Sequence, residues 1–279
     1  MADYANAPNL TISAGDGISY AYRDVGSGDG PPLVLLQHFR GNLDNWDPAV
    51  VDALAADRRV VTFDYAGVGG STGRPADTVE QMAREALTFV TALNLDRIDL
   101  LGFSIGSFVA QEVLLARPDL VRRTVLAAVA PAGAPDNHGW APEVIGAVGG
   151  RETSAEQYLS VFFTGSEAST SAGQQTLGRL YGRTADRDTP TDWATRLAQY
   201  DAVLRWGVPD TARLARLTTI STPVLVAVGD SDPMIRPRFG HLVAGLLPDA
   251  EFVSYPDAAH GFMSQHHKQF SDDVAGFLA

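Results

Sequence analysis

The chain has 279 residues, a hydrophobic share of 45%, a charged share of 19% and a formal charge of −12, with a pI near 4.8. That length suits one large α/β domain or two small ones with a sizeable core, and the acidic balance argues against nucleic acid or an anionic membrane surface as partner. There is no cysteine, which excludes disulfides, thiol nucleophiles and thiolate metal sites.

The first residues, M-A-D-Y-A-N-A-P, hold neither a basic nor an apolar segment, so no signal peptide is expected. No apolar run is long enough to span a bilayer, and a cytoplasmic location is expected. Residues 10–13 and 18–25 alternate around Gly15-Asp16-Gly17 and predict an N-terminal hairpin. A Gly/Pro-rich linker, 26–32, leads into Leu33-Val34-Leu35-Leu36, a continuous apolar run of the kind found in buried parallel strands. The loop 37–42 follows, and then a helix opened by Asp47-Pro48 with Val50, Val51 and Leu54 on its apolar face. Residues 59–65 predict a strand closed by a turn over 64–71. Residues 78–93 predict an amphipathic helix, capped by Thr78, that buries Met82, Ala86, Leu87, Phe89, Val90 and Leu93.

Residues 97–111, R-I-D-L-L-G-F-S-I-G-S-F-V-A-Q, predict a strand, a sharp turn and a helix that stops near Ala116-Arg117, because Pro118 lacks the N–H to continue it. A further strand is predicted over 124–129. From 132 to 217 strand-like runs disappear, and the segment holds Trp140, Trp193, Trp206 and several other aromatics. It predicts helices joined by polar loops. The strand–helix alternation resumes at 222–229, with a helix near 238–247, a last strand over 250–255 and a C-terminal helix over 268–278. Alternation of this kind predicts a mostly parallel sheet covered on both faces. The expected division is a core of 1–131 and 218–279 with a helical cap of 132–217 inserted in it.

Two stretches match G-x-S-x-G: Gly69 to Gly73 around Ser71, and Gly102 to Gly106 around Ser104. The first runs into Arg74-Pro75-Ala76-Asp77, which is loop. The second lies between a β-rich run and a helix, the setting in which a strained turn exposes a serine hydroxyl at a helix N-terminus. A serine nucleophile needs a base, and the base needs an orienting acid. In open α/β sheets ligands gather beyond the carboxyl ends of the strands. Asp230 and Asp232 follow one late strand there, and His260 follows the last. The order Ser104, Asp232, His260 is that of the α/β-hydrolases.

On these residues the chain resembles an α/β-hydrolase fold enzyme with a helical cap, over nearly its whole length. G-F-S-I-G matches the nucleophile elbow, F-D-Y-A-G-V-G-G-S the family's D-x-x-G-x-G-x-S, and G-D-S-D-P-M-I-R-P its G-x-x-D-x-x-x-x-P; a late H-G-F completes the set. The resemblance implies Ser104 as nucleophile, His260 as base and Asp232 as orienting acid, with Asp230 as the rival acid. It also implies an oxyanion hole made by the backbone N–H groups of Ile105 and Phe39. Here the chain departs from its family: Gln37-His38 stands where relatives carry His-Gly. His38, Arg40 and Trp140 are the candidate pocket residues. His260, His266 and Asp257 match no metal-ligand spacing, and neither a metal nor a cofactor is expected.

The implied activity is hydrolysis of an ester, lactone or related acyl bond of a small molecule, with the aromatic-rich cap suggesting an apolar or moderately polar substrate. The alternatives are a cofactor-free perhydrolase or acyltransferase, or a ligand-binding or cyclase-like member of the fold. A haloalkane dehalogenase would need an aspartate at Ser104. A monomer and a homodimer are both compatible with the sequence.

Overall fold

The computed structural model describes residues 3–279. Eight strands form one sheet: β1 (Leu10–Ser13), β2 (Ser19–Val25), β3 (Leu33–Leu36), β4 (Val60–Phe63), β5 (Ile98–Phe103), β6 (Val121–Ala127), β7 (Val224–Gly229) and β8 (Ala250–Tyr255). Their spatial order is β1-β2-β4-β3-β5-β6-β7-β8. The hairpin β1–β2 joins antiparallel to β4, and every later pairing is parallel. Strands β3, β4, β5 and β7 are buried at every position, so successive side chains on both faces are covered. The outer strands β1 and β8 alternate or lie open, as edges do.

Helices α1 (Pro48–Leu54), α2 (Val79–Ala92), α3 (Ile105–Ala116), α9 (Pro237–Leu246) and α11 (His267–Phe277) connect or follow the strands. Helix α1 packs on α11, and α2 on α3. Helix α2 starts where its cap places it, with the Thr78 side chain accepting from Gln81 N–H. Its Phe89 stacks on Phe63 of β4 with ring centroids 4.3 Å apart. Burying a phenylalanine this fully contributes roughly 2 kcal/mol. Helix α3 ends at Ala116, one residue before Arg117-Pro118.

Between β6 and β7 lie α4 (Pro142–Val148), α5 (Ala155–Phe162), α6 (Glu167–Leu180), α7 (Trp193–Trp206), α8 (Thr211–Ala215) and a 3-10 turn, with no strand. A short α10 (Phe262–Gln265), which the sequence pattern does not signal, precedes α11. Strand β6 begins at Val121 rather than 124 and stops at Ala127; Ala128 still donates its N–H to the Ala227 carbonyl at 2.9 Å, but at φ 51° it turns the chain out of the extended conformation. Of the three tryptophans in the helical insertion, Trp206 belongs to the core. It stacks on Phe108 of α3 at 5.3 Å and donates to the Ala130 carbonyl at 3.0 Å. No helix among the described residues is long and apolar enough to cross a membrane.

The sheet order places the site. The chain runs from β3 outward to β4, then returns across β3 to β5. The loops leaving the C-terminal ends of β3 and β5 therefore part in opposite directions and leave a crevice between them.

Candidate active site

Ser104 sits at that crevice, between β5 and α3. It holds φ 57° and ψ −122°, a conformation L-residues avoid, and is 2% exposed. Its N–H donates to the Ala127 carbonyl at 2.9 Å, and its carbonyl accepts from Ser107 N–H at 2.8 Å. The backbone is thus fixed on both sides while the hydroxyl is bound by nothing in α3. The two flanking glycines are required by close approach. A Cβ on Gly102 would collide with the Gly106 carbonyl, and one on Gly106 with the Leu36 carbonyl at the end of β3. The upstream Ser71 is a different object. Its hydroxyl donates to the Asp64 carbonyl at 2.8 Å and accepts from Ala21 N–H at 2.9 Å, which joins a turn to β2.

Asp232 and His260 come together from the loops after β7 and β8. Asp232 Oδ2 is 2.7 Å from His260 Nδ1, and Oδ1 accepts from Met234 and Ile235 N–H at 2.8 and 3.0 Å. Both side chains are buried. The carboxylate fixes Nδ1 as the protonated nitrogen, which leaves the lone pair on Nε2. That Nε2 is buried with no protein partner. The ring lies between Phe103, stacked at 5.0 Å, and Phe162 of α5, edge-on at 5.1 Å. Asp230 is occupied elsewhere: its carboxylate accepts from Asp257 and Ala258 N–H at 3.1 and 3.2 Å, closing the turn after β8.

The loop after β3 carries Gln37-His38-Phe39-Arg40. Gln37 holds both ends of this loop. Its Oε1 accepts from His38 N–H at 2.9 Å, and its Nε2 donates to the Asn42 carbonyl at 3.0 Å. The Gln37 side chain lies over Gly41, where a Cβ would collide with it. His38 does not take a positive φ, so the loop needs no glycine there; the left-handed residue is Arg40, at φ 61°. Phe39 is buried, and its N–H, like that of Ile105, makes no hydrogen bond among the described residues. His38 Nδ1 is 2.9 Å from the Phe39 carbonyl. Burial pushes the His38 imidazole down to about 4, aided by the nearby His260 and opposed by the bond to Phe39.

A cavity of about 540 Å³ opens on Ser104, His260, His38, Phe39 and Arg40. From the helical insertion it is lined by Tyr158, Phe162, Leu177 and Leu180 and also by Arg151, Glu152, Arg187 and Asp188. The walls are therefore mixed, with aromatic and charged side chains side by side. Trp140 is placed differently from expectation. It lies behind the cavity wall, edge-on to Phe39 at 4.8 Å and 5.0 Å from Tyr200, and does not line the cavity. Within the helical insertion, the charged lining comes from two loops, 149–154 and 181–192, that carry no periodic pattern. Arg40 does line it, and its guanidinium donates to the Gly150 and Arg151 carbonyls at 2.9 and 2.8 Å. Asp188 ties the second loop to the core: its carboxylate and that of Asp64 both accept from Leu43 N–H, at 3.2 and 3.0 Å. Burial and the neighbouring Asp188 hold the Asp64 carboxyl well above the usual range.

The alpha/beta hydrolase fold model matches residues 31–266. The chain belongs to the alpha/beta hydrolase fold family. An alpha/beta hydrolase fold protein from Chitinophaga pinensis is 38% identical, with a TM-score of 0.93 over 99% of this chain and 98% of that one. The non-heme chloroperoxidase of Streptomyces lividans is 26% identical over 96% of this chain and 99% of its own length. The pimeloyl-[acyl-carrier protein] methyl ester esterase of Aeromonas hydrophila is 26% identical over 90% and 96%. This α/β-fold hydrolase carries no cluster of three or more His, Asp or Glu arranged to hold a metal among its described residues.

Proposed function

We propose that this enzyme is a serine hydrolase that cleaves an ester, lactone or related acyl bond of a small molecule through an acyl-enzyme. The observation that carries the reading is the pairing of Asp232 with His260 at 2.7 Å, while His260 Nε2 is left buried and unpartnered on the cavity that also exposes Ser104. In this reading Nε2 takes the Ser104 proton as the hydroxyl attacks the acyl carbon, and returns it to the leaving group. Asp232 holds the tautomer and stabilises the imidazolium. The Phe39 and Ile105 N–H groups, free of other partners, receive the oxyanion, with the N-terminal end of α3 adding its dipole. Water then attacks the acyl-enzyme by the same route in reverse. The segment 132–217 acts as a cap over a core of 1–131 and 218–279. The likeness to a methyl ester esterase supports the ester class.

A fluorophosphonate probe is expected to label Ser104 in the wild type and nothing in Ser104→Ala. Labelling at Ser71, or none, would overturn the reading. One specific observation, the likeness to a non-heme chloroperoxidase, favours a second: hydrogen peroxide replaces water in deacylation and releases a peracid and the free serine. Measuring peracid against free acid at fixed peroxide separates the two.

A further inference from the structure

The departure at Gln37-His38 leaves a group beside the nucleophile that the proposed mechanism does not use. His38 Nδ1 faces a backbone carbonyl, which accepts only, so Nδ1 carries the hydrogen and Nε2 carries the lone pair. Nε2 makes no hydrogen bond within the protein, and His38 lines the cavity together with Ser104 and His260. The ring is held edge-on by Phe103 at 5.3 Å and by Phe162 at 5.8 Å. These are the same two rings that fix His260, so the two imidazoles occupy neighbouring places in one aromatic frame. The His38 N–H is committed to Gln37 Oε1, so the residue offers the cavity an acceptor and no backbone donor. The next N–H along the chain, that of Phe39, is the proposed oxyanion donor. An acceptor at His38 therefore addresses the part of the substrate close to the scissile carbonyl.

We propose that His38 Nε2 accepts a hydrogen bond from the acyl chain, and that the enzyme selects acyl groups carrying a hydroxyl or amino N–H near the scissile carbonyl, such as 2-hydroxy acyl esters. This rests on the serine hydrolase reading and names its substrate class. A site built to bond a hydroxyl discriminates against the analogue lacking it, because the acceptor, cut off from water once substrate fills the cavity, is then left unpaired. The imidazole remains neutral through ordinary assay pH, so the selectivity holds there and declines only as pH falls toward about 4.

The test compares kcat/KM for a 2-hydroxyalkanoate phenyl ester and its deoxy analogue, in the wild type, His38→Phe and His38→Gln. The wild type is expected to prefer the hydroxy ester by about tenfold or more. His38→Phe, which keeps the ring packing and removes the acceptor, brings the ratio close to one. His38→Gln, which restores an acceptor oxygen, retains part of it. A purely packing role for His38 would move both substrates together and leave the ratio unchanged. No preference in the wild type, or a preference that survives His38→Phe, overturns the proposal. If the wild type turns over neither ester faster than Ser104→Ala does, the serine hydrolase reading itself fails and the inference falls with it.

Discussion

Asp232 and His260 stand 28 residues apart in sequence and 2.7 Å apart in space, each delivered by the loop after one of the last two strands. Asp232 is itself held by two backbone N–H groups on its other oxygen, so the pair is oriented from the protein outward. In the proposed mechanism, replacing Asp232 by Asn removes the charge that would stabilise the imidazolium and allows the wrong tautomer. The expected loss in kcat on a p-nitrophenyl ester is about 10³- to 10⁴-fold. Asp230→Asn keeps an acceptor for only one of the two N–H groups of Asp257 and Ala258 and is expected to cost about 1 kcal/mol of stability, with little change in rate. Side-by-side kinetics decide it; a larger rate loss at Asp230 would reassign the acid.

Gly106 carries the closest approach between α3 and β3. A methyl group there meets the Leu36 and Gln37 carbonyls, which are backbone and have no rotamer to yield. Gly106→Ala is therefore expected to separate the helix from the strand and to destabilise the fold by about 3 kcal/mol. Gly146, on α4, has open space at the same test position and serves as the control. Thermal unfolding of both variants checks the difference: a drop of several degrees for Gly106→Ala and little change for Gly146→Ala.

The parts legible in the sequence are those fixed by local chemistry. Gly102, Ser104 and Gly106 announce a strained corner because only glycine fits two residues either side of it. Asp232 and His260 announce themselves by falling just after apolar strands. The separation of Ser104 from its twin Ser71 also followed from local context, helix against loop. What local pattern could not give was the destination of large side chains in the insertion. Trp206 and Trp140 look alike in sequence, yet one stacks on α3 and the other backs Phe39. The charged lining was equally hidden: Arg151 and Arg187 lie 36 positions apart in aperiodic loops, and only the folding of the helical insertion brings them to one cavity.

Glu85 gives the stability a pH dependence. It is 3% exposed on α2, and burial raises its carboxyl from 4.5 to about 7, against hydrogen bonds from Gln81 and Ala66 N–H. A raised folded value means the folded state holds the proton more tightly. The contribution is fully present below the unfolded value and is lost as pH rises through about 7. The window from about 4.5 to about 7 corresponds to roughly 3 kcal/mol. In Glu85→Gln the midpoint of denaturation is expected to vary less with pH across that window. An unchanged slope would show that Glu85 ionises freely in the folded protein.

Trp140 acts on the site at one remove. It lies edge-on to Phe39 at 4.8 Å, and Tyr200 packs against both rings, 5.0 Å from Trp140 and 6.5 Å from Phe39. The Phe39 side chain is thereby held from behind, and with it the direction of the backbone N–H proposed for the oxyanion hole. Trp140→Ala removes that support without touching the cavity lining. Truncating this half-buried ring is expected to cost about 2 kcal/mol of stability. A displaced donor weakens only the developing charge, so kcat is expected to fall about tenfold while KM changes little. Trp140→Phe, which retains an edge-to-face contact, is expected to recover most of the rate. Should Trp140→Ala instead raise KM at constant kcat, the ring would be acting on substrate binding and not on the donor behind Phe39.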